Sequence, residues 1–274
     1  MLAAVMLFLY ICLVRLCGMQ ADLAESNLQA NLIRISRFEY EKPAGIVLAG
    51  SSVGGRLLPS YFKDNGLDVQ NLGLDGSCPL FAFEIIARRP VLPKILLVDT
   101  STLFQPILPN SLVIRDAIHS PGWAISSWFI PFRPTYRPSS IVYSWFKRQK
   151  ESHVAGIERA AFVAPQAVAP TPATSLAPAP NWKPEDQYIP VRTYLDVFRS
   201  KGVDVRLINI PHGEGWGMPA HDLERKMADD LRLPLLEIGP ELAKRGVKLR
   251  FSDGLHLDVP SAKTIVSEYT KILK

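Results

Sequence analysis

A three-layer α/β/α sandwich around a five-stranded parallel sheet is the fold that two sequence patterns predict. Five short apolar runs have strand length: Ile46 to Ala49, Val69 to Leu72, Ile95 to Val98, Val203 to Ile210 and Val247 to Phe251. Helix-patterned segments alternate with them at Tyr61 to Asn65, Leu80 to Arg89, Arg192 to Lys201, Leu223 to Leu231 and Ser261 to Leu273. Parallel strands need such crossovers, and 274 residues suffice for one domain of this class.

Taken in order, the chain opens on unbroken apolar sequence from Met1 to Val14, extended past Arg15 by Leu16, Cys17, Gly18 and Met19. A bilayer core of about 30 Å asks for roughly 20 helical residues. Residues 1–19 reach that length if Arg15 snorkels to the interface, so they read first as a signal anchor. A cleaved signal peptide ranks second, because no Lys or Arg precedes the apolar stretch and Leu16-Cys17-Gly18 is a poor cleavage site; a buried core helix ranks third. The expected setting is membrane-anchored with the body on the extracytoplasmic side, although Arg15, Arg34 and Arg37 after the segment run against the positive-inside rule. Residues 20–43 carry Leu23, Leu28, Leu32, Ile33, Ile35 and Phe38 at mostly helical spacing, as in a stalk or a packing helix.

The main domain is expected over 44–274, with an insertion at 103–187 where the alternation stops. There Pro106, Pro109, Pro121, Pro131, Pro134 and Pro138 interleave with Trp123, Trp128 and Trp145, which reads as a satellite core or a membrane-facing rim. Within it, 162–184 is an Ala/Pro tract too poor in large apolar residues to pack, and it is expected to be a mobile loop. The formal net charge of +5 arises from 31 basic and 26 acidic residues without a dense basic run, so a nucleic-acid partner is not expected. Of three cysteines only Cys78 lies in the globular part, so no disulfide framework is implied. His119, His153 and His221 have no metal-ligand spacing, and neither metal nor cofactor is expected.

Chemistry is concentrated at the carboxyl ends of the predicted strands, where sites form in such sheets. After the first strand comes Gly50-Ser51-Ser52-Val53-Gly54-Gly55, a turn able to present the Ser52 hydroxyl at the sheet edge. Near the other end, Phe251-Ser252-Asp253-Gly254-Leu255-His256-Leu257 sets an Asp three residues before a His, the makings of a base and its orienter. Each motif alone is more often structural, a tight turn or a helix cap. The missing Walker ending argues against a phosphate loop. Gly50 to Gly54 also fits the Gly-x-Ser-x-Gly elbow of α/β-hydrolases, but here the serine follows the first strand and the Asp and His come paired at the end. His212, in Ile210-Pro211-His212-Gly213, follows the fourth predicted strand and is a candidate substrate contact or an exposed turn residue.

These features resemble the SGNH, or GDSL-type, hydrolase superfamily, whose fold is flavodoxin-like. Gly50-Ser51-Ser52 is similar to its first block with Ser51 in place of the usual Asp, Asn71-Leu72-Gly73-Leu74-Asp75-Gly76 to its second, and Asp253 with His256 to its fifth. The resemblance implies Ser52 as nucleophile, His256 as base and Asp253 as orienter, with the N–H groups of Ser52 and Gly76 in an oxyanion hole. The third block's Asn is missing, since the chain reads Val98-Asp99-Thr100-Ser101-Thr102; Ser101 or Thr102 is the candidate replacement donor. Members with a Gly-Ser-Ser block and an N-terminal anchor act on acylated envelope polymers beside membrane O-acyltransferases. By that resemblance the expected activity is hydrolysis or transfer of O-acyl esters of a carbohydrate or cell-envelope polymer. The alternative is a non-catalytic scaffold or carbohydrate-binding partner of a membrane acyltransferase.

Overall fold

Five parallel strands hydrogen-bond in the order β2-β1-β3-β4-β5: β1 Ile46–Ser51, β2 Val69–Leu74, β3 Ile95–Asp99, β4 Asp204–Asn209 and β5 Leu235–Glu237. They are seen in a computed structural model that describes residues 2–17, 20–21, 24–146, 183–213, 216–218 and 220–274. All six residues of β1 are buried, as expected of a central parallel strand covered on both faces. Register pairs Leu48 with Leu97 and Val98 with Leu207, so the carboxyl ends of β1, β3 and β4 come level. Because the chain crosses from β2 past β1 to reach β3, the strand order reverses at β1, the kind of switch point at whose carboxyl edge open α/β sheets bind ligands.

The helices are α1 Leu2–Cys17, α2 Asn27–Tyr40, α3 Ser52–Gly55, α4 Pro59–Asp64, α5 Pro79–Ala87, α6 Pro109–Ile118, α7 Pro121–Trp128, α8 at 138–146, α9 Tyr188–Ser200, α10 Asp222–Leu231, α11 Gly239–Lys244 and α12 Val259–Leu273. Two compact units emerge. One holds the described residues up to Glu41 together with 113–146; the other holds Lys42–Leu112 and the described residues from 183 to Lys274.

In the sheet-bearing unit, one face of the sheet is closed by α4, α11 and α12. Phe62, Leu242, Ile265, Val266 and Tyr269 join Leu48, Leu97 and Ile208 there in a single apolar cluster. Side chains alternate along a strand, so Val47 and Leu96 point the other way. On that side α5 packs on β1 and β2 and meets α9, with the Phe83 ring edge-on to Phe198 at 5.8 Å between centroids. This is the three-layer sandwich that the alternation predicts.

One strand departs from the expectation. The fifth strand is Leu235–Glu237, not Val247 to Phe251. The Val-Lys-Leu-Arg-Phe run does alternate, and Val247, Leu249 and Phe251 do pack on the core. Its backbone, however, bonds elsewhere: Arg250 N–H donates to Ser261 Oγ at 2.8 Å, Asp258 N–H donates to Arg250 O, and Phe251 forms one isolated antiparallel bridge with Leu257. Apolar alternation reports burial of one side; it does not report a strand neighbour. The three residues of β5 are too few to carry a pattern of their own.

The other unit is built on aromatic and apolar contacts among the N-terminal helices and the segment after α6. Val14, Ala21, Ile33 and Ile141 form its cluster, and the Tyr10 hydroxyl donates to Tyr136 O. The Trp123 indole N–H donates to Glu39 Oε2 at 2.8 Å, while the Arg133 guanidinium lies over the Tyr40 ring. The 16 residues of α1 span about 24 Å, and among the described residues no helix is long and apolar enough to cross a membrane. The Ala/Pro tract, apart from Lys183 and Pro184, lies outside the described residues.

Candidate active site

Ser52 is the first residue of α3, placed where β1 ends. Ser51 caps that turn, its Oγ accepting from Val53 N–H at 3.2 Å. The close approach of α3 to β2 depends on Gly73, because a Cβ there would lie 2.2 Å from Gly55 N. Asn71 completes the attachment. Its Nδ2 donates to Gly54 O at 2.9 Å and Leu57 O at 2.7 Å, and its Oδ1 accepts from Gly73 N–H. The Asn of the predicted second block is thus a buried brace for the Ser52 turn.

Asp253 and His256 stand on the short loop that the Phe251–Leu257 bridge closes, just before α12. Ser252 N–H donates to His256 O at 2.8 Å to close the loop, and Gly254 takes a φ of +80°, which L side chains rarely adopt. Asp258 anchors the loop's far end, capping α12 through Ser261 N–H and pairing with Arg250 at 2.8 Å. Across 204 residues of sequence, His256 Nε2 comes within 2.8 Å of Ser52 Oγ. His256 Nδ1 lies 2.7 Å from Asp253 Oδ2, and Asp253 Oδ1 accepts the N–H groups of His256 and Leu255. With its proton on Nδ1 facing the carboxylate, the ring presents an acceptor nitrogen to the serine hydroxyl. Desolvation alone would raise the Asp253 pKa, but the hydrogen bonds from His256 and Leu255 outweigh it and bring the carboxyl down to about 2.

Gly76, the predicted oxyanion residue, lies in the turn after β2 with a φ of +67°. An amide that the sequence reading did not single out faces it. Asn110, second residue of α6, brings its Nδ2 to 2.7 Å from the position a Gly76 Cβ would occupy. The same turn is pinned to α6 by a buried 2.8 Å hydrogen bond between Ser77 Oγ and Ser111 Oγ. The resemblance implies an Asn at the end of β3, whereas this amide comes eleven residues after Asp99, and only the Pro-Asn opening of a helix marks it in the sequence.

Ser101 and Thr102, the candidate replacement donors, come just after β3, and both hydroxyls are buried without a hydrogen-bond partner among the described residues. Ser101 N–H donates to Asp99 Oδ1 at 3.0 Å. Neither hydroxyl bonds to Ser52, Gly76 or His256. His212 is half-buried after β4 with Nδ1 2.8 Å from Ile210 O, and the next residue, Gly213, donates its N–H to Leu255 O at 3.1 Å. The His212 loop is therefore stitched to the loop of Asp253 and His256.

Behind the Ser52 turn lies the wholly buried carboxyl of Asp99. Burial pushes Asp99 above the ordinary carboxyl range, against the pull of Ser101 and the His212 ring. Glu224 is also raised by burial, opposed by hydrogen bonds from Thr100, His221 N–H and Asn209. No protein-family model matches this chain, and no curated protein matches it.

Proposed function

We propose that this protein is a serine esterase-like enzyme that cleaves or transfers O-acyl groups of a carbohydrate or cell-envelope polymer. The observation that carries the reading is the unbroken line from Asp253 through His256 to Ser52, at 2.7 and 2.8 Å, on an accessible sheet edge. Such a relay matches the task of deprotonating an alcohol nucleophile near neutral pH.

In the first step Ser52 Oγ attacks the ester carbonyl carbon while its proton passes to His256 Nε2. The carbonyl π electrons move onto oxygen, where the N–H groups of Ser52 and Gly76, with the Asn110 amide, are the candidate donors for the oxyanion. The tetrahedral species then reforms its carbonyl, expels the alkoxide, and His256 returns the proton to it. Water or a sugar hydroxyl then attacks the acyl-serine carbonyl and gives its proton to His256, the bond from the carbonyl carbon to Ser52 Oγ breaks, and His256 passes that proton to Ser52 Oγ, regenerating both residues. Asp253 keeps its charge throughout and holds the ring in the one useful tautomer. Met6 and Phe8, exposed at 60% and 64% on α1, support membrane association through that segment as part of the same proposal.

Hydrolysis of p-nitrophenyl acetate by the intact protein, with Ser52→Ala as control, tests the acyl chemistry. Acetate release from an O-acetylated polysaccharide, compared with and without a deacylated glycan acceptor, then separates hydrolysis from transfer. Wild-type turnover no faster than that of Ser52→Ala would reject the reading.

A further inference from the structure

We propose that Asp99 is a positioning residue for the nucleophile: its carboxyl, delivered by β3, grips the Ser51–Gly54 turn and keeps Ser52 aligned with His256. The inference rests on the acyl-transfer reading above. Asp99 is the last residue of β3 and is 0% exposed. Its Oδ2 accepts from Gly54 N–H at 3.2 Å and faces the Ser51 hydroxyl at 3.5 Å; its Oδ1 accepts from Ser101 N–H at 3.0 Å. The Ser51 contact is long and weak, so Gly54 N–H carries the grip on the turn, while Ser101 N–H fixes the carboxyl on its own loop.

The turn is shaped around this side chain. A Cβ on Gly50 would fall 2.8 Å from Asp99 Cβ and 3.0 Å from Oδ2, and a Cβ on Gly54 would fall 3.2 Å from Oδ2. The two glycines flanking Ser51, Ser52 and Val53 are therefore the clearance that admits the carboxyl. Folding alone gives no reason to end the run Ile95-Leu96-Leu97-Val98 on a buried acid, since an ionisable group taken out of water is costly unless it is bonded. What the bonds secure is the first turn of α3, whose N–H groups and leading serine are the parts the chemistry uses. Ser51 fits the same logic. An Asp in its place would set a second carboxylate against Asp99 Oδ2, whereas a hydroxyl caps Val53 N–H and donates to Asp99 at once.

Labelling of Ser52 by a fluorophosphonate probe, followed to saturation on the intact protein, gives the test. Asp99→Asn keeps the shape but offers an acceptor on only one of the two sides. Its maximal labelling rate is expected to fall about 100-fold with an unchanged half-saturating probe concentration, as a misplacement near 1 Å produces. Circular dichroism and a urea transition establish the folded fraction. Returning a carboxylate to the turn in S51D/D99N, where it can cap Val53 and Gly54 N–H groups, is expected to recover at least about tenfold of the loss. Labelling of D99N within about threefold of wild type, a loss no larger than its unfolded fraction, or a double variant no faster than D99N overturns the inference. If D99N does not fold, Gly50→Ala, whose Cβ would fall 2.8 Å from Asp99 Cβ and 3.0 Å from Oδ2 and so displace the carboxyl, takes its place, and its labelling at the wild-type rate overturns the inference. A wild-type protein that does not label rejects the acyl-transfer reading itself, a result distinct from equal labelling by wild type and D99N.

Discussion

Replacing Gly73 by Ala tests how the sheet sets the nucleophile. The added methyl would stand 2.2 Å from Gly55 N, 2.6 Å from Gly54 C and 2.7 Å from Gly55 Cα, all backbone atoms that cannot rotate aside. Restoring ordinary contact requires α3 to retreat by roughly 1 Å. The Asn71 bonds to Gly54 O and Leu57 O, at 2.9 and 2.7 Å, would then stretch towards breaking. Each of the two buried bonds is worth about 1 kcal/mol net, and overpacking adds about 1–3 kcal/mol, so a loss of roughly 3–5 kcal/mol is expected. Because Ser52 opens the displaced turn, labelling should also slow about 100-fold beyond any effect of unfolding. Urea denaturation and probe-labelling kinetics on the same preparation measure both. A Gly73→Ala protein that labels at the wild-type rate and loses less than about 0.5 kcal/mol would refute the claim that this contact seats the serine.

Three further outcomes are expected. Asn110→Ala should lower kcat for p-nitrophenyl acetate by about 100-fold or more with little change in KM, as removal of one oxyanion donor does; unchanged kcat would remove Asn110 from the oxyanion site. Phe83→Ala, which empties a 0%-exposed site edge-on to Phe198, should cost about 3–5 kcal/mol in urea unfolding, and a cost under about 1 kcal/mol would contradict the packing of α5 on α9. Asp253, held at about 2 by its hydrogen bonds, contributes stability that is fully present above the ordinary Asp value of 3.8 and is lost as pH falls through about 2. Asp253→Asn should therefore lack that contribution above pH 3.8, and its stability gap to wild type should close as pH falls from 3.8 to about 2; a gap that does not change over that range would disprove the assignment.

Much of the fold was legible because buried parallel strands are short apolar runs bounded by helices, and β1 to β4 fall where those runs lie. The fifth strand was not. Val247 to Phe251 has the alternation of a strand because three of its side chains meet the core, yet Ser261 and Asp258 occupy its backbone, while β5 is three residues long. The site divides in the same way. Ser52, Asp253 and His256 were legible because a serine on a glycine turn after a strand and an Asp three residues before a His are recognisable patterns, and the fold brings them within hydrogen-bond reach. Asn110 could not, since its place beside Gly76 depends on how α6 docks through Ser77 and Ser111, a contact with no periodic signature. Asp99 was read only as a gap in the third block, although Gly50 and Gly54 are shaped to admit it.

Mass-spectrometric mapping of the fluorophosphonate adduct on the full-length protein is the most direct test of the central claim. The account predicts a single modified residue, Ser52, on wild type, and no modification on a folded His256→Ala variant. An unlabelled wild-type protein, or label carried by a serine remote from His256, would contradict it.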